Sequence, residues 1–348
     1  MPHLMVIPRE IRDLMLELTV LASRPAPETL ADIETQALEE QHQYVYYSTD
    51  CLDCNRFAAV PLLLVSRQIH RETKQLLNRI GNTHELDVRF VHEQYFVLTW
   101  TRLPLSVHNV DHVCVVFKSV GEYRDSVEVC GRPIPNLWRS SRGGRPAQFQ
   151  LMFYDVLMSF LINGPYGWRA SRSAKTEGFT IRTLEVDFVD PDDTSLLIPE
   201  PDDPKTPLHR QGGKGLRRPE RLAKCLGQLL ASLLTTTVHQ YGKGIFDKVG
   251  RIIIKANGKM VVGIKVGQIL ADYDFSDSFV EVPKGERLDH WKAWKDHALL
   301  CREAKGLDVS DTRLDWKEKA VFGFARLQER YQRDKMEKIS SASHAHDN

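Results

Sequence analysis

The chain has no catalytic signature. None of G-x-S-x-G, H-E-x-x-H or G-x-G-x-x-G occurs in its 348 residues. That leaves out nucleophile-elbow hydrolases, helix-borne zinc peptidases and the usual dinucleotide folds. Gly212-Gly213-Lys214-Gly215 has the glycines of a phosphate loop without the GxxxxGK[ST] spacing or a preceding strand. His92, His108 and His112, with Asp87 and Asp111, offer acid–base groups near strand ends, but no nucleophile is set against them. The chain reads as a non-enzyme.

Excess charge is missing too. Forty-seven Lys and Arg against 46 Asp and Glu give a net charge of +1, so nothing draws the whole chain to nucleic acid or to an anionic membrane. Cysteine is sparse, with six residues scattered and no dense framework. Met1–Met5 has neither a basic start nor a long apolar run. Reduced thiols in the cytosol or nucleus are expected. Cys51-x-x-Cys54 is the only metal-like spacing, and neither His42 nor His70 completes a four-ligand set. The expectation is two unpaired thiols in a loop, with no metal and no cofactor. Long apolar runs are absent as well: the greasiest helical stretch, Leu222–Val238, is broken by Lys224, Gln228, Ser232 and three threonines. It predicts a buried helix and no membrane span.

What is present is a globular composition, 42% hydrophobic against 27% charged, in a length that suits one large domain or two ordinary ones. Two N-terminal stretches carry helical periodicity. In Val6–Leu21, Ile7, Ile11, Leu14, Leu18 and Leu21 fall on one face, with Pro8 in the first turn and Glu10 near the positive helix end. Arg9, Arg12, Asp13 and Glu17 fall on the other, solvent side. In Pro61–Ile80, Leu62, Val65, Ile69, Leu76 and Ile80 form a similar stripe. Pro61 is placed to start this helix and Gly81 to end it.

Ile7-Pro8-x-Glu10-Ile11-x-x-Leu14, followed by Leu62-Leu63-Leu64-Val65-Ser66-Arg67-Gln68-Ile69 and Glu72, resembles the F-box-like N-terminus common in fungal proteins. The resemblance covers these two stretches only. It implies a small helical module that binds the Skp-type adaptor of a cullin–RING ubiquitin ligase, with the rest of the chain recruiting a protein substrate. The adaptor-binding residues it implies are Ile7, Pro8, Ile11, Leu14, Leu18, Leu62, Val65 and Ile69. An F-box is compact, whereas Ala22–Val60 here separates the matching pieces. A second reading stays open: a non-catalytic interaction or structural protein whose F-box-like helices only close its core, with no ubiquitin role.

Beyond residue 82 the periodicity changes. Leu86, Val88 and Phe90 alternate with polar residues, and Tyr95–Trp100 follows a turn at His92–Gln94, which predicts a hairpin. Val110-x-x-Val113-x-Val115-x-Phe117 recurs as Ile181-x-x-Leu184-x-Val186-x-Phe188 and, shortened, as Val249-x-x-Ile252-x-Ile254. Apolar helices are predicted between the copies, at about 147–162 and 220–241. Strand, helix, strand, helix, strand implies parallel strands with right-handed crossovers. Asn257-Gly258 then predicts a type I′ hairpin. The expected fold is α+β: F-box-like helices packed on a mixed sheet with βα crossovers, then C-terminal helices built on Trp291 and Trp294 and on Trp316 and Phe324. An irregular leucine-rich horseshoe is the second choice, since the copies are far longer than the ~20–29 residues of such repeats. The expected organisation is a helical region at 1–82 with the insertion 22–60, an α/β body at 83–338 with flexible loops at 122–146 and 190–219, and a disordered tail at 339–348.

Overall fold

The computed structural model describes residues 6–36, 38–42, 44–48, 59–104, 108–124, 127–129, 132–134, 137, 148–165, 178–199, 215–235, 242–272 and 286–309. Cys51-x-x-Cys54, Gly212-Gly213-Lys214, the Trp316–Tyr331 stripe and the 339–348 tail lie outside these residues. The chain divides into two compact units, Met1–Ala231 with Arg251–Ile264, and Ser232–Gly250 with Lys265–Asn348.

In chain order the elements are α1 (Arg9–Val20), α2 (Leu30–Thr35), β1 (Leu38–His42), β2 (Val45–Ser48), α3 (Ala59–Val65), α4 (Arg67–Ile80), β3 (Thr83–Val91), β4 (Tyr95–Arg102) and β5 (Asn109–Val120). There follow β6 (Val127–Val129), β7 (Arg132–Ile134), α5 (Gln148–Asn163), β8 (Thr180–Val189), α6 (Pro219–Thr235), α7 (Lys243–Lys248), β9 (Val249–Ala256), β10 (Lys259–Lys265), α8 (Val266–Asp272) and α9 (Arg287–Ala304). Eight strands make one mixed sheet in the order β1-β2-β4-β3-β5-β8-β9-β10. The fold is therefore α+β, an open mixed sheet with helical crossovers and not a horseshoe.

The recurring strand pattern has a direct structural meaning. β5 and β8 lie side by side and parallel, with Val110 opposite Ile181, Val113 opposite Leu184, Val115 opposite Val186 and Phe117 opposite Phe188. β3 joins them in parallel on the other side, Leu86 opposite Val115 and Val88 opposite Phe117. Because side chains alternate along a strand, this register stacks the apolar positions on one face. There Phe117 meets Phe188 at 4.7 Å and Phe96 at 5.2 Å between ring centroids, and Phe149 of α5 meets Phe90 at 5.4 Å. The opposite face carries polar pairs: Arg89 donates to Asp87 at 2.6 Å and Lys255 to Glu185 at 2.5 Å. The apolar residues of α5 lie on several sides of the helix, and Phe149, Met152, Phe153, Leu157, Phe160 and Leu161 are all buried. Asn257 and Gly258 both take positive φ (51° and 75°), as the two-residue turn between β9 and β10 requires.

Within the insertion 22–60, Leu38–His42 and Val45–Ser48 join the sheet. Thr29 and Asp32 form a capping box that starts α2. β1 and β2 then pair antiparallel, and β2 runs parallel to β4, with Val45 opposite Phe96 and Tyr47 opposite Leu98. Tyr46 and Tyr47 are buried. The insertion is tied at both ends, by the Arg24 N–H to the Thr101 carbonyl at 2.7 Å and the Ala59 N–H to the Pro104 carbonyl at 3.1 Å.

The second unit is centred on Arg302 of α9. This guanidinium is fully buried and donates to the carbonyls of Phe246 (2.6 Å), Val249 (2.7 Å) and Asp308 (2.9 Å). Burial lowers its pKa to about 10. Trp291, Ala298 and Leu299 are buried, and Trp294 meets Phe246 edge-on at 5.9 Å.

The β3–β4 turn falls where alternation placed it, at His92–Gln94, yet it is not a solvent turn. His92, Glu93 and Gln94 are all buried, and the first two take positive φ (51° and 55°). Their polar atoms are met by neighbours. His92 Nδ1 lies 2.6 Å from the Glu122 carbonyl, and Gln94 donates to the Arg124 carbonyl at 2.5 Å. Glu93 accepts from the Arg217 backbone N–H at 2.5 Å and from its guanidinium, which also lies over the Tyr123 ring at 5.3 Å. Leu216 and Arg217 are thereby buried at one end of the 190–219 loop, whose ends are joined by a bridge between Leu197 and Leu216. Removing one partner of a buried ion pair strands the other charge. Glu93→Gln and Arg217→Met should each cost about 3–5 kcal/mol in urea unfolding. The double variant should cost less than the two losses added together.

Candidate functional site

The N-terminal helices form a small packed group within the first unit. Pro8 precedes α1 as its cap residue, at φ −52° and ψ 146°, and Glu10 sits in the first turn. The second predicted helix is in fact two. It starts at Ala59 and is interrupted at Ser66, whose extended backbone ends α3 and whose hydroxyl accepts from the Ile69 N–H at 3.2 Å to start α4. Gly81 ends α4 with φ +73°. The group's core is Leu16, Val20, Ala59, Ile69 and Leu76, with Leu62, Leu77 and Ile80 packed against it.

The rotation of α1 differs from the periodicity reading. Arg12 is not in solvent. It is buried and pairs with Glu72 of α4 through two hydrogen bonds, at 2.6 and 3.1 Å. Arg12 also donates to the Ile7 carbonyl, and Gln68 donates to Glu72 at 3.0 Å. Arg12, Leu16 and Val20, spaced by four, are the buried line of α1. Of the apolar stripe, Ile11, Leu14 and Leu18 therefore point outward, while Ile7 and Leu21 are half-buried.

The residues implied as adaptor-binding are consequently divided. Ile11 is 49% exposed, Leu14 54%, Leu18 66% and Val65 63%. Pro8 is exposed and Ile7 half-buried. Leu62 is partly buried against the core, and Ile69 is buried within it at 1% exposure. Ile69 is thus corrected from an implied adaptor-binding residue to a core residue: it lies in the first turn of α4, after the Ser66 break, and packs with Leu16, Val20, Ala59 and Leu76. Met15 (43%) and Leu64 (80%), which are not among the implied adaptor-binding residues, join the exposed set. Of eleven exposed large apolar side chains among the described residues, six lie on α1 and α3, and a seventh, Val6, just precedes α1. Exposed large apolar side chains concentrated on one small helix group mark a place where something docks.

The histidines do not converge. His112 lies opposite Thr83 at the start of β3, whereas His92 follows Val91, eight residues on and about 26 Å away at ~3.3 Å per residue. His108 lies against Phe179 with Nδ1 3.2 Å from the Gly178 carbonyl, and Asp111 accepts from the Asn82 N–H at 3.1 Å. Asp87 pairs with Arg89. Among the described residues, no group of three or more His, Cys, Asp or Glu could hold a metal ion, and no helix is long and apolar enough to cross a membrane.

Leu14 and Leu16 make a paired test of this geometry. Leu16→Ala should cost about 2–4 kcal/mol, whereas Leu14→Asp should stay within about 0.5 kcal/mol of the parent, both by urea unfolding. A pH series tests the ion pair. The hydrogen bond from Arg12 holds the Glu72 carboxyl below its ordinary value of 4.5. Its contribution is complete above that value and is lost as pH falls through the depressed one. The stability gap between parent and Glu72→Gln should therefore be full at neutral pH and shrink in acid.

No protein-family model, no curated protein and no solved structure matches this chain, so the functional reading stands on the helix group itself.

Proposed function

We propose that this protein is an F-box-like, substrate-recruiting subunit of a cullin–RING ubiquitin ligase, acting in the cytosol or nucleus by protein–protein binding and not by catalysis. The outward faces of α1 and α3, with Ile11, Leu14, Leu18 and Val65, dock the Skp-type adaptor, and the α+β body takes the protein substrate. The observation that carries the reading is the exposed apolar stripe on α1 beside a core already completed by Leu16, Val20, Ile69 and Leu76. An amphipathic helix that keeps a greasy face in water is suited to helix-in-groove recognition. The alternative reading, in which the F-box-like helices only close the core, requires Ile11 and Leu14 to be covered. Their exposure favours recruitment. The insertion also leaves the helix pair intact, because Arg12 and Glu72 join α1 to α4 across it.

Mixed with purified Skp-type adaptor at micromolar concentration, the chain should co-elute with it in size-exclusion chromatography. Leu14→Asp/Leu18→Asp should weaken that association about tenfold or more while leaving the urea midpoint in place. A chain that stays monomeric beside the adaptor would end this proposal.

A further inference from the structure

α3 and α4 enclose an open groove of about 770 Å³. Its lining combines Leu63 and Leu64 with Arg67, His70, Arg71 and Lys74, and it contains no carboxylate and no Phe, Tyr or Trp. We propose that this groove is a second docking site, for an acidic amphipathic segment of a partner protein, and that it works independently of the adaptor face.

The charge accounting on these helices points there. Arg9, Arg12 and Arg79 are each neutralised, by Asp13, Glu72 and Glu17. Arg67, Arg71 and Lys74 have no ion-pair partner among the described residues, and all three are exposed. Their spacing of four and three puts them in one row along α4. Such a row is unfavourable for the helix that bears it. Like charges at these spacings repel, and Arg67 sits at the positive end of a helix that has no acidic residue in its first turn. Helix stability therefore gives no reason for the row, whereas a carboxylate-bearing ligand does.

The surroundings select the class of partner. Leu63 and Leu64 stand beside the cations, and Leu64 is 80% exposed. A ligand that carries carboxylates along one edge and leucine-like side chains along the next matches both. Single-stranded nucleic acid is ordinarily held on large aromatic platforms, and the lining has no Phe, Tyr or Trp. The chain's net charge of +1 supplies no wider field for a polyanion or an anionic membrane.

The test uses the full chain and a fluorescein-labelled peptide with Glu at i, i+4 and i+7 and Leu along the adjacent edge, read by anisotropy. The expected result is micromolar binding that weakens with added salt. Arg71→Glu/Lys74→Glu, or Arg71→Gln/Lys74→Gln if the reversal perturbs the circular dichroism, should weaken it about tenfold or more. Leu14→Asp should leave it unchanged, so failure here and failure of the adaptor reading are separate outcomes. No peptide binding, equal binding by the groove variants, or tighter binding of a single-stranded oligonucleotide or of phosphatidylserine vesicles would overturn the proposal. So would loss of adaptor binding in a folded groove variant, since the groove would then belong to the adaptor face.

Discussion

Arg12 and Glu72 decide which way the front of this protein faces. Two charges drawn largely out of water tolerate little displacement, because each is compensated only where the other sits. Their geometry fixes the rotation of α1 on α4. With Arg12 inward, Leu16 and Val20 must follow it four and eight residues on, and Ile11, Leu14, Met15 and Leu18 must face out. An apolar helix would ordinarily turn its widest greasy face inward. Here a polar contact overrides that preference, and its by-product is an outward apolar surface.

That override also explains where sequence reasoning stopped. Periodicity locates both N-terminal helices but places Arg12 in solvent, and the resemblance, not the periodicity, places Ile69 on the adaptor-binding surface. A signal was present in the second case. Ser66 is a good cap residue between two apolar runs, and it divides α3 from α4. No comparable local signal marks Arg12, since its partner lies sixty residues away. Glu93 is the same kind of case. A charged residue in a tight turn reads as exposed, and only the distant Arg217 makes its burial possible. Long-range ion pairs are the part of this fold that a single sequence conceals.

The sheet was more legible, for a physical reason. Parallel strands in register must present like positions to like positions, so adjacent strands can carry similar spacings. The Val-x-x-Val-x-Val-x-Phe pattern and its later copy are neighbours, residue opposite residue, in β5 and β8. The helix between them was visible because its apolar residues run too long for a strand. The sheet edge built from 38–48 was less visible, because Leu38–His42 is largely polar and gains its order from the strand beside it.

The way β2 sits on β4 has a consequence for anyone wishing to isolate the helical front. A compact version made by excising 22–60 would look closer to the F-box pattern, yet it would strip β1 and β2 away and leave β4 as a bare margin. Its backbone amides and carbonyls from Phe96 to Leu98, now paired with Val45–Tyr47, would be free to recruit strands from other molecules. The shortened protein would tend to self-associate, and its helical front would be lost to the aggregate.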